Sequence, residues 1–286
     1  MIEENRQLLF PNYHYTSNIY IHTSKISNIF FILKIIVYFC TMKQAMIFAA
    51  GLGTRLRPLT DTMPKALVTV AGQPLLCHVL QKMSMAGITR VVVNVHHFAN
   101  QIIEFLNKTE YPDLDIRISD ESEMLLETGG GIKKARPLFD ENEPVLIHNV
   151  DILSNAQVDT LYNSRADATL LVSDRPSSRR LLFNDDMLLV GWKNMTTGEI
   201  RSPHPWVKGA DENNQLQRLA FSGIHLLSPS LFPIMDEWPE RFPIIDFYLS
   251  TCATHKIKAV VQQDLRLLDV GKIDSLTQAE QFIISS

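Results

Sequence analysis

One loop of the sequence, "GLGTRLRPLTDTMPK" (51–65), concentrates residue types that can hold a chain of phosphates. Gly51 and Gly53 let backbone N–H groups approach an anion, and the cations Arg55, Arg57 and Lys65 follow them. The loop is neither a G-x-G-x-x-G dinucleotide fingerprint nor a G-x-x-x-x-G-K-[ST] phosphate loop. Three cations beside a glycine turn favour a polyphosphate ligand. The alternative is an ordinary surface turn with solvated basic residues.

Two acidic residues end short apolar segments further along the chain. Asp151 ends "PVLIHNVD" (144–151), and Asp269 ends "LRLLD" (265–269). An unpaired carboxylate at the end of a buried strand is costly without a counter-ion. An aspartate in this place is also a common turn former or helix cap. The two segments by themselves leave both interpretations open.

Apolar strands that alternate with helices would position these residues. The alternation predicts an α/β fold with a doubly wound, mostly parallel sheet, whose ligands bind at the carboxyl ends of the strands. The segment 175–215 breaks the alternation and predicts a small insertion of hairpins with a variable loop. Strands are predicted at 45–50, 90–95, 114–120, 144–151, 168–173, 216–228, 256–263 and 265–271. Helices are predicted at 74–87, 99–108, 243–255 and 274–283, with a glycine-rich turn at 127–135 opening another.

Composition limits the partners of the chain. The 286 residues carry a net charge of −4, which argues against nonspecific binding of nucleic acid, so any anion site must be local. The three cysteines show neither C-x-x-C spacing nor a disulfide framework, which fits a reducing compartment and predicts a cytoplasmic protein.

The first 41 residues differ from the rest of the chain. They contain no Gly, Ala or Asp, and 22 of the 41 are Ile, Phe, Tyr, Asn or Lys, which share AT-rich codons. This composition predicts a non-native extension, 1–41, ahead of a true start at Met42 and a single domain over 42–286. A targeting segment is the alternative, because residues 29–40 are apolar except for one lysine; they are shorter than the roughly 20 residues of a membrane span. We therefore expect no membrane association.

The phosphate-binding loop belongs to a longer stretch, "AAGLGTRLRPLTDTMPKALVTVAGQPL", that resembles the N-terminal signature of the sugar-1-phosphate nucleotidyltransferases, also called nucleotide-sugar pyrophosphorylases. The segments "ETGGGI" (127–132), "HNVD" (148–151), "FSGIHLL" (221–227) and "DVG" (269–271) follow in the order of that family. The resemblance covers residues 43 to 284 and implies a Rossmann-like nucleotidyltransferase domain. Within the family the chain looks most like the N-acetylmuramate-1-phosphate uridylyltransferases. Mannose-1-phosphate guanylyltransferases and heptose-phosphate relatives are the alternatives.

The family resemblance implies a reaction in which an NTP and a sugar 1-phosphate give an NDP-sugar and pyrophosphate, with no protein nucleophile. Arg55 would steady the triphosphate, and Lys65 would neutralise the attacking phosphate and the α-phosphate. Asp151 and Asp269 would share one Mg²⁺ ion. The remaining substrate-binding residues implied by the resemblance are Ala50, Gly51, Gly53 and Thr54 for the nucleotide, Thr128, Gly129 and Gly130 for its base and ribose, and Ser222 and Gly223 for the sugar.

The chain departs from the family pattern at two places. Val150 stands where relatives have a glycine before the first metal-binding acid, so it either narrows the site or points into the core. Trp192, Lys193 and Asn194 fall where relatives present sugar-contacting groups, but without the usual Val-Glu-Lys pattern. A regulatory homologue without turnover would be expected to lack Lys65 or one metal acid. A membrane-anchored glycosyltransferase would need a D-x-D motif. The base, the sugar and the oligomeric state stay open.

Overall fold

The computed structural model of the chain describes residues 43–285. The predicted extension, residues 1–41, lies outside the described residues. From Lys43 onward the residues pack together as one compact unit. None of the described helices is long and apolar enough to cross a membrane.

Strands and helices alternate along the described chain. The strands are β1 (Gln44–Phe48), β2 (Thr69–Val70), β3 (Gln73–Pro74), β4 (Arg90–Val95), β5 (Asp115–Asp120), β6 (Val145–Asn149), β7 (Ile152–Ser154), β8 (Ala168–Ser173), β9 (Arg179–Phe183), β10 (Leu189–Asn194), β11 (Ile200–Arg201), β12 (Gln217–Leu227), β13 (Ile257–Val261) and β14 (Leu267–Asp269). The helices are α1 (Leu75–Met85), α2 (Ala99–Lys108), α3 (Glu127–Ala135), α4 (Asp159–Tyr162), α5 (Val207–Glu212), α6 (Phe232–Asp236), α7 (Ile244–Thr251) and α8 (Asp274–Ile284).

One half of the main sheet is parallel. Its strands lie in the order β6-β1-β4-β5, and each neighbouring pair is parallel. The carboxyl ends of these strands therefore meet at one edge, where the loops after β1 and β6 come together. The predicted mostly parallel central sheet positions the loop at 51–65 next to Asp151.

The other half of the sheet carries the hairpins. Strand β12 runs antiparallel to β6, β8 and β9, and β9, β10 and β11 pair as consecutive antiparallel strands. The predicted hairpin insertion is confirmed, and the sheet as a whole is mixed. Helix α5 was not predicted, because its six residues are too few to show a helical period in the sequence.

Both faces of the sheet are covered by helices. Alternate residues of β1 point to opposite faces, so Ala45 and Ile47 pack with the apolar residues of α1 and α2, whereas Met46 packs with those of α3, α6 and α7. This is the doubly wound arrangement that the sequence predicts.

The glycine-rich segment 127–135 is itself a helix, α3, rather than a turn before one. Three consecutive glycines are poor helix formers. They are tolerated here because neighbouring chain packs directly against them, as described below.

Candidate active site

A cavity of about 560 Å³ opens at the carboxyl edge of the parallel strands. Its wall includes residues 48–55 after β1, Lys65, Thr128 of α3, residues 149–151 after β6, and Gly271. We call it the phosphate cavity. It brings together Arg55, Lys65 and Asp151 with Ala50, Gly51, Gly53, Thr54 and Thr128, as the sequence predicts.

The two glycines of the loop have different surroundings. Gly53 has φ +64°, and a Cβ there would lie 2.9 Å from Thr60 Cγ2 and 3.1 Å from Lys65 Cβ. The Thr60 hydroxyl donates to the Gly53 carbonyl at 2.8 Å, which closes the loop. At Gly51, a Cβ would meet no described atom within 4 Å. Gly53 therefore shapes the loop, whereas Gly51 leaves room on the cavity side.

Lys65 and Asp151 form an ion pair in the wall of the cavity. The ammonium group of Lys65 donates to Asp151 Oδ2, and Lys65 is only 8% exposed. A short helical turn, Lys65–Leu67, presents the lysine, and Asp151 lies in the tight connection from β6 to β7. Each group supplies the counter-charge that the other needs out of water. The pair holds one cation and one carboxylate at a fixed place beside the loop.

The second acid comes next to the first through a small two-stranded ladder. In the antiparallel pair of β7 and β14, Asp269 lies opposite Ile152, and Val270 N–H donates to the Asp151 carbonyl at 2.8 Å. A Cβ at Gly271 would lie 2.6 Å from Asp269 Oδ1 and 2.9 Å from Arg55 Nη2. Arg55 and Asp269 therefore converge on the same point of the cavity wall.

The two acids fit a magnesium ion whose remaining ligands come from substrate and water. The residues from 43 to 285 contain no cluster of three or more His, Cys, Asp and Glu side chains that could hold a metal alone. Mg²⁺ is usually held by one or two carboxylates, with phosphate oxygens and water completing its shell. Asp151 and Asp269 are hard oxygen donors, and the hydrogen bond from Val270 N–H to the Asp151 carbonyl holds the two chain segments together, which suits that pattern.

Gly129 and Gly130, which were predicted to contact the base and ribose, pack against protein in the structure. Both are buried and neither is part of the described cavity wall. Their N–H groups donate to the Phe242 carbonyl, and a Cβ would lie 2.2 Å from the Phe242 ring at Gly129 and 2.2 Å from the Glu240 carbonyl at Gly130. These glycines admit a neighbouring backbone rather than a flat base. Thr128 does line the cavity, and its hydroxyl accepts from Ile244 N–H at 2.9 Å.

Ser222 and Gly223, which were predicted to contact the sugar, also pack against protein in the structure. Ser222 is 1% exposed, and its hydroxyl accepts from Ile224 N–H at 3.1 Å. Gly223 has φ +78°, and a Cβ there would lie 2.6 Å from Asn149 Nδ2. The segment supports Asn149, which lines the cavity, instead of facing the cavity itself.

Sequence reasoning missed a buried polar pair in the cavity wall. Glu121 is fully buried and accepts from Asn94 Nδ2 at 2.7 Å and from Leu126 N–H at 3.2 Å. Asn94 Oδ1 in turn accepts from Ala49 N–H at 2.8 Å. The pair ties the start of the glycine loop to the start of α3. A signal was present, because both polar side chains come at or just after the end of an apolar strand.

Val150 also lines the cavity, yet it is 4% exposed and packs within the apolar cluster beneath β1. Of the two interpretations of this departure, the structure supports the one in which the side chain belongs to the core. Its N–H donates to the Phe48 carbonyl at 3.1 Å, which ties the ends of β6 and β1 together.

A second cavity, of about 600 Å³, lies against the hairpins; we call it the hairpin pocket. Trp192 and Asn194 line it. Lys193 points to the other face of β10 and donates to Asp211 Oδ2 at 2.6 Å. Trp192, Lys193 and Asn194 all fall where relatives present sugar-contacting groups, but Lys193 forms an ion pair with the buried carboxylate of Asp211. The lining residues are Ser177, Arg179, Leu181, Trp192, Asn194, Glu199, Arg201, Phe221, Pro243, Ile245 and Asp246.

Comparison with known proteins identifies relatives of the chain. The family model described as nucleotidyl transferase matches residues 44–173. The N-acetylmuramate alpha-1-phosphate uridylyltransferase of Caulobacter vibrioides is 33% identical over 233 residues, covering 78% of this chain and 90% of that protein. A mannose-1-phosphate guanyltransferase of Kluyveromyces lactis is 26% identical over 71% of this chain, which spans 56% of that protein.

Among solved structures, HddC from Yersinia pseudotuberculosis, complexed with GMP-PN, matches with a TM-score of 0.65 and 21% identity. The match covers 85% of this chain and all of that chain. At this identity it shows the fold alone, and it agrees with the mixed, mostly parallel sheet and flanking helices described above.

Proposed function

Because the chain belongs to the nucleotidyl transferase family, as a sugar-1-phosphate nucleotidyltransferase, we propose that it transfers the uridylyl group of UTP to N-acetylmuramate 1-phosphate. The products are UDP-N-acetylmuramate and pyrophosphate. A cytoplasmic location and cell-wall metabolism follow from these substrates and belong to the same proposal.

One observation carries the proposal. The wall of a single cavity contains an open glycine loop, the cations Arg55 and Lys65, and the carboxylate of Asp151. Asp269 lies just behind this wall, beside Gly271 and Arg55, so the region has the charged groups needed to hold two phosphate groups close together. The choice of sugar and base is supported by the relative from Caulobacter vibrioides, since the alignment covers 90% of that protein.

The chemistry is an in-line displacement at phosphorus. A phosphate oxygen of the sugar 1-phosphate forms a bond to the α-phosphorus of the NTP. The bond from that phosphorus to the oxygen that bridges to the β-phosphate breaks, and pyrophosphate leaves with the electron pair. The reaction needs no nucleophile from the protein, so the contribution of the chain is positioning and charge stabilisation.

The residues of the cavity divide this work. Backbone N–H groups around Gly51 and Gly53 bind phosphate oxygens. Arg55 holds the triphosphate and the departing pyrophosphate, and Lys65 lies between the two reacting phosphates. Asp151 and Asp269 would hold Mg²⁺, which supplies neutralisation of the charge that develops on the phosphate oxygens. Asn94 and Glu121 hold the two walls at a fixed separation.

Transfer of guanylyl from GTP to mannose 1-phosphate is the second candidate function. The observation that favours it is the similarity to mannose-1-phosphate guanyltransferases, although the identity is lower and only 56% of the Kluyveromyces lactis protein is matched. A regulatory homologue that binds nucleotide sugars without turnover is the third. It is disfavoured because Arg55, Lys65, Asp151 and Asp269 are all present and near the cavity.

A pyrophosphate-release screen tests the proposal. The purified chain, both full length and beginning at Met42, is offered UTP, GTP, CTP and dTTP, each combined with a panel of sugar 1-phosphates in the presence of Mg²⁺. We expect the highest kcat/KM with UTP and N-acetylmuramate 1-phosphate, and equal rates for the two chain lengths. A preference for GTP with mannose 1-phosphate would establish the second candidate. No release with any pair would leave the regulatory homologue.

A further inference from the structure

We propose that Arg179, in the wall of the hairpin pocket, is the residue that selects an acceptor sugar bearing a carboxylate. This inference rests on the proposed function, because it identifies the class of acceptor for the same reaction. It concerns residues of the hairpin insertion, where the sequence departs from the pattern of its relatives.

The position of the hairpin pocket fits an acceptor. Two short segments of chain border both cavities. In the first, Phe221 lines the hairpin pocket, and Gly223, two residues later, packs on Asn149 of the phosphate cavity. In the second, Ile245 lines the hairpin pocket, and the N–H of Ile244 donates to Thr128 of the phosphate cavity. The hairpin pocket therefore lies beside the phosphate cavity, because two residues of extended chain span at most about 7 Å.

The ladder of the hairpins presents polar groups in rows on the face that forms the pocket. Trp192 lies opposite Leu181 on β9 and opposite Arg201 on β11. In the next row on the same face, Asn194 lies opposite Arg179. The deeper row is largely apolar, and the outer row is polar, which suits a pyranose with hydroxyl and amide substituents.

The charges of the pocket differ in whether they are already paired. Arg201 donates to Asp246 Oδ1 at 2.8 Å and stacks over the Trp192 ring at 4.3 Å, so its charge is compensated. Glu199 lines the outer rim and is exposed. Arg179 has no side-chain partner among residues 43–285 and is exposed at the pocket wall. It is the cation that remains available to a ligand.

A free guanidinium beside neutral hydrogen-bonding groups recognises a planar anion. Guanidinium and carboxylate groups pair through two parallel hydrogen bonds, a geometry that a hydroxyl cannot reproduce. The Ser177 hydroxyl is hydrogen-bonded to the backbone of Arg179, and Asn194 Oδ1 accepts from the N–H groups of Thr196 and Thr197. The amide nitrogen of Asn194 is the neutral donor left for the sugar. Within the pocket, Arg179 thus binds the acidic substituent, and its neighbours contact the sugar ring.

Two acceptors that differ by one acidic group test this assignment. N-acetylmuramate 1-phosphate and N-acetylglucosamine 1-phosphate differ by the lactyl ether, which carries the carboxylate. In Arg179→Gln, we expect the KM for the first acceptor to rise about fivefold to tenfold, an effect limited by solvent screening of an exposed guanidinium. The KM for the second acceptor and the KM for the NTP should change by less than about twofold.

Two further variants sharpen the result. Glu199→Gln removes a negative charge of the pocket that repels the carboxylate of the acceptor. It should therefore lower the KM for the carboxylate-bearing acceptor, whereas Arg179→Gln should raise it. Arg165→Gln is the matched control. It removes an exposed arginine from the loop that precedes β8, outside the hairpin pocket, and should change the KM of neither acceptor. Thermal melting verifies that all three variants fold.

The outcomes separate this inference from the proposed function. If Arg179→Gln raises the KM of both acceptors equally, or of neither, while the wild type turns over, the assignment of Arg179 is wrong and the proposed function stands. If the wild type releases no pyrophosphate with any pair of substrates, the proposed function fails, and this inference fails with it.

Discussion

The phosphate cavity and the hairpin pocket are similar in volume but differ in construction. The phosphate cavity lies where parallel strands end, and its wall contains the partly buried ion pair of Lys65 and Asp151 beside the exposed Arg55. The hairpin pocket lies on the face of antiparallel strands, and its uncompensated charge, Arg179, is exposed. Groups fixed out of water interact strongly with developing charge, whereas exposed groups contribute modest selectivity. The difference suggests that the first region performs the reaction and the second chooses the substrate.

The largest expected effect is the loss of turnover when Asp151 or Asp269 is neutralised. Asp151→Asn and Asp269→Asn each keep the shape of the side chain but remove one charged ligand, so kcat should fall on the order of 10²-fold or more. The KM for the NTP should change less, because the glycine loop and Arg55 remain. Pyrophosphate release measures the rate. Retention of a near wild-type kcat in both variants, or full activity of the wild type in EDTA, would contradict the metal assignment.

Lys65→Ala tests the other partner of the buried ion pair. It should lower kcat to a similar extent, and added Mg²⁺ should not restore it. Because removal of one partner leaves a charge without its counter-charge, both Lys65→Ala and Asp151→Asn should lower the melting temperature. The double variant should regain stability but not activity. Lys208→Ala, on the exposed surface of α5, is the matched control, with unchanged kcat and melting temperature.

The next effect distinguishes glycines that pack from glycines that leave room for a ligand. Gly130→Ala would place a Cβ 2.2 Å from the Glu240 carbonyl, and this overlap should lower the free energy of unfolding by about 1–3 kcal/mol. Gly51→Ala meets no described atom within 4 Å, so stability should be nearly unchanged while the KM for the NTP rises. Chemical denaturation and substrate kinetics measure the two quantities. A loss of stability in Gly51→Ala equal to that in Gly130→Ala would contradict the division.

The phosphate cavity is also the region that the sequence predicts best. Its loop is continuous in sequence, so Gly51, Gly53, Arg55 and Lys65 are recognisable together, and the parallel alternation of elements correctly predicts that the end of β6 lies beside them. The sequence shows Asp269 at the end of an apolar segment, but only the family resemblance implies that it lies near Asp151. Nothing local shows that β14 pairs with β7, because each strand has only three residues.

Where the sequence could not show the surroundings of a predicted site residue, the missing contact comes from a distant part of the chain. Gly129 and Gly130 look like ligand-binding glycines until the segment around Phe242, more than 100 residues away, is found against them. Ser222 and Gly223 support Asn149 for the same kind of reason. Within the hairpins, strand register decides which side chains share a face. The sequence of 175–215 predicts hairpins but not their register, so it could not separate Trp192 from Lys193.

Each region contains one buried histidine that makes the stability of the fold depend on pH. Burial lowers the pKa of His148, beneath the phosphate cavity, to about 4, and the pKa of His225, which contacts Phe221 beneath the hairpin pocket, to about 3. Between pH 6.5 and about pH 4 both histidines stay neutral in the folded chain. In the unfolded chain each histidine has its ordinary pKa of 6.5 and binds a proton below that pH. Stability is therefore fully present above pH 6.5 and falls toward pH 4, by up to about 1.4 kcal/mol per pH unit for each histidine.

Urea unfolding at several pH values between 7 and 4.5 measures this response. His225→Leu lowers stability at neutral pH, because the Tyr248 hydroxyl loses its partner at 2.6 Å, but it should reduce the slope against pH. His148→Leu should reduce the slope by a similar amount. An unchanged slope in either variant would mean that the histidine does not control acid stability.

The smallest expected effect concerns the two sides of β10. Lys193 donates to Asp211 Oδ2, and Arg218 donates to Asp211 Oδ1 at 2.6 Å. Burial alone would raise the pKa of Asp211, but hydrogen bonds from Arg218 and Lys193 hold it below its usual value. In Lys193→Met, Arg218 still compensates the carboxylate, so we expect a loss of only about 1 kcal/mol in the free energy of unfolding.

The same variant should leave the KM for the acceptor unchanged, because Lys193 faces away from the hairpin pocket. Asn194→Ala, one residue further on the opposite face of the strand, should raise that KM. It should also lower the free energy of unfolding by about 1 kcal/mol, because Asn194 Oδ1 accepts from the Thr196 and Thr197 N–H groups. Parallel measurement of unfolding and acceptor kinetics separates the two effects. A raised acceptor KM in Lys193→Met at unchanged stability would mean that the lysine turns toward the substrate, and it would reverse the assignment of the two faces of β10.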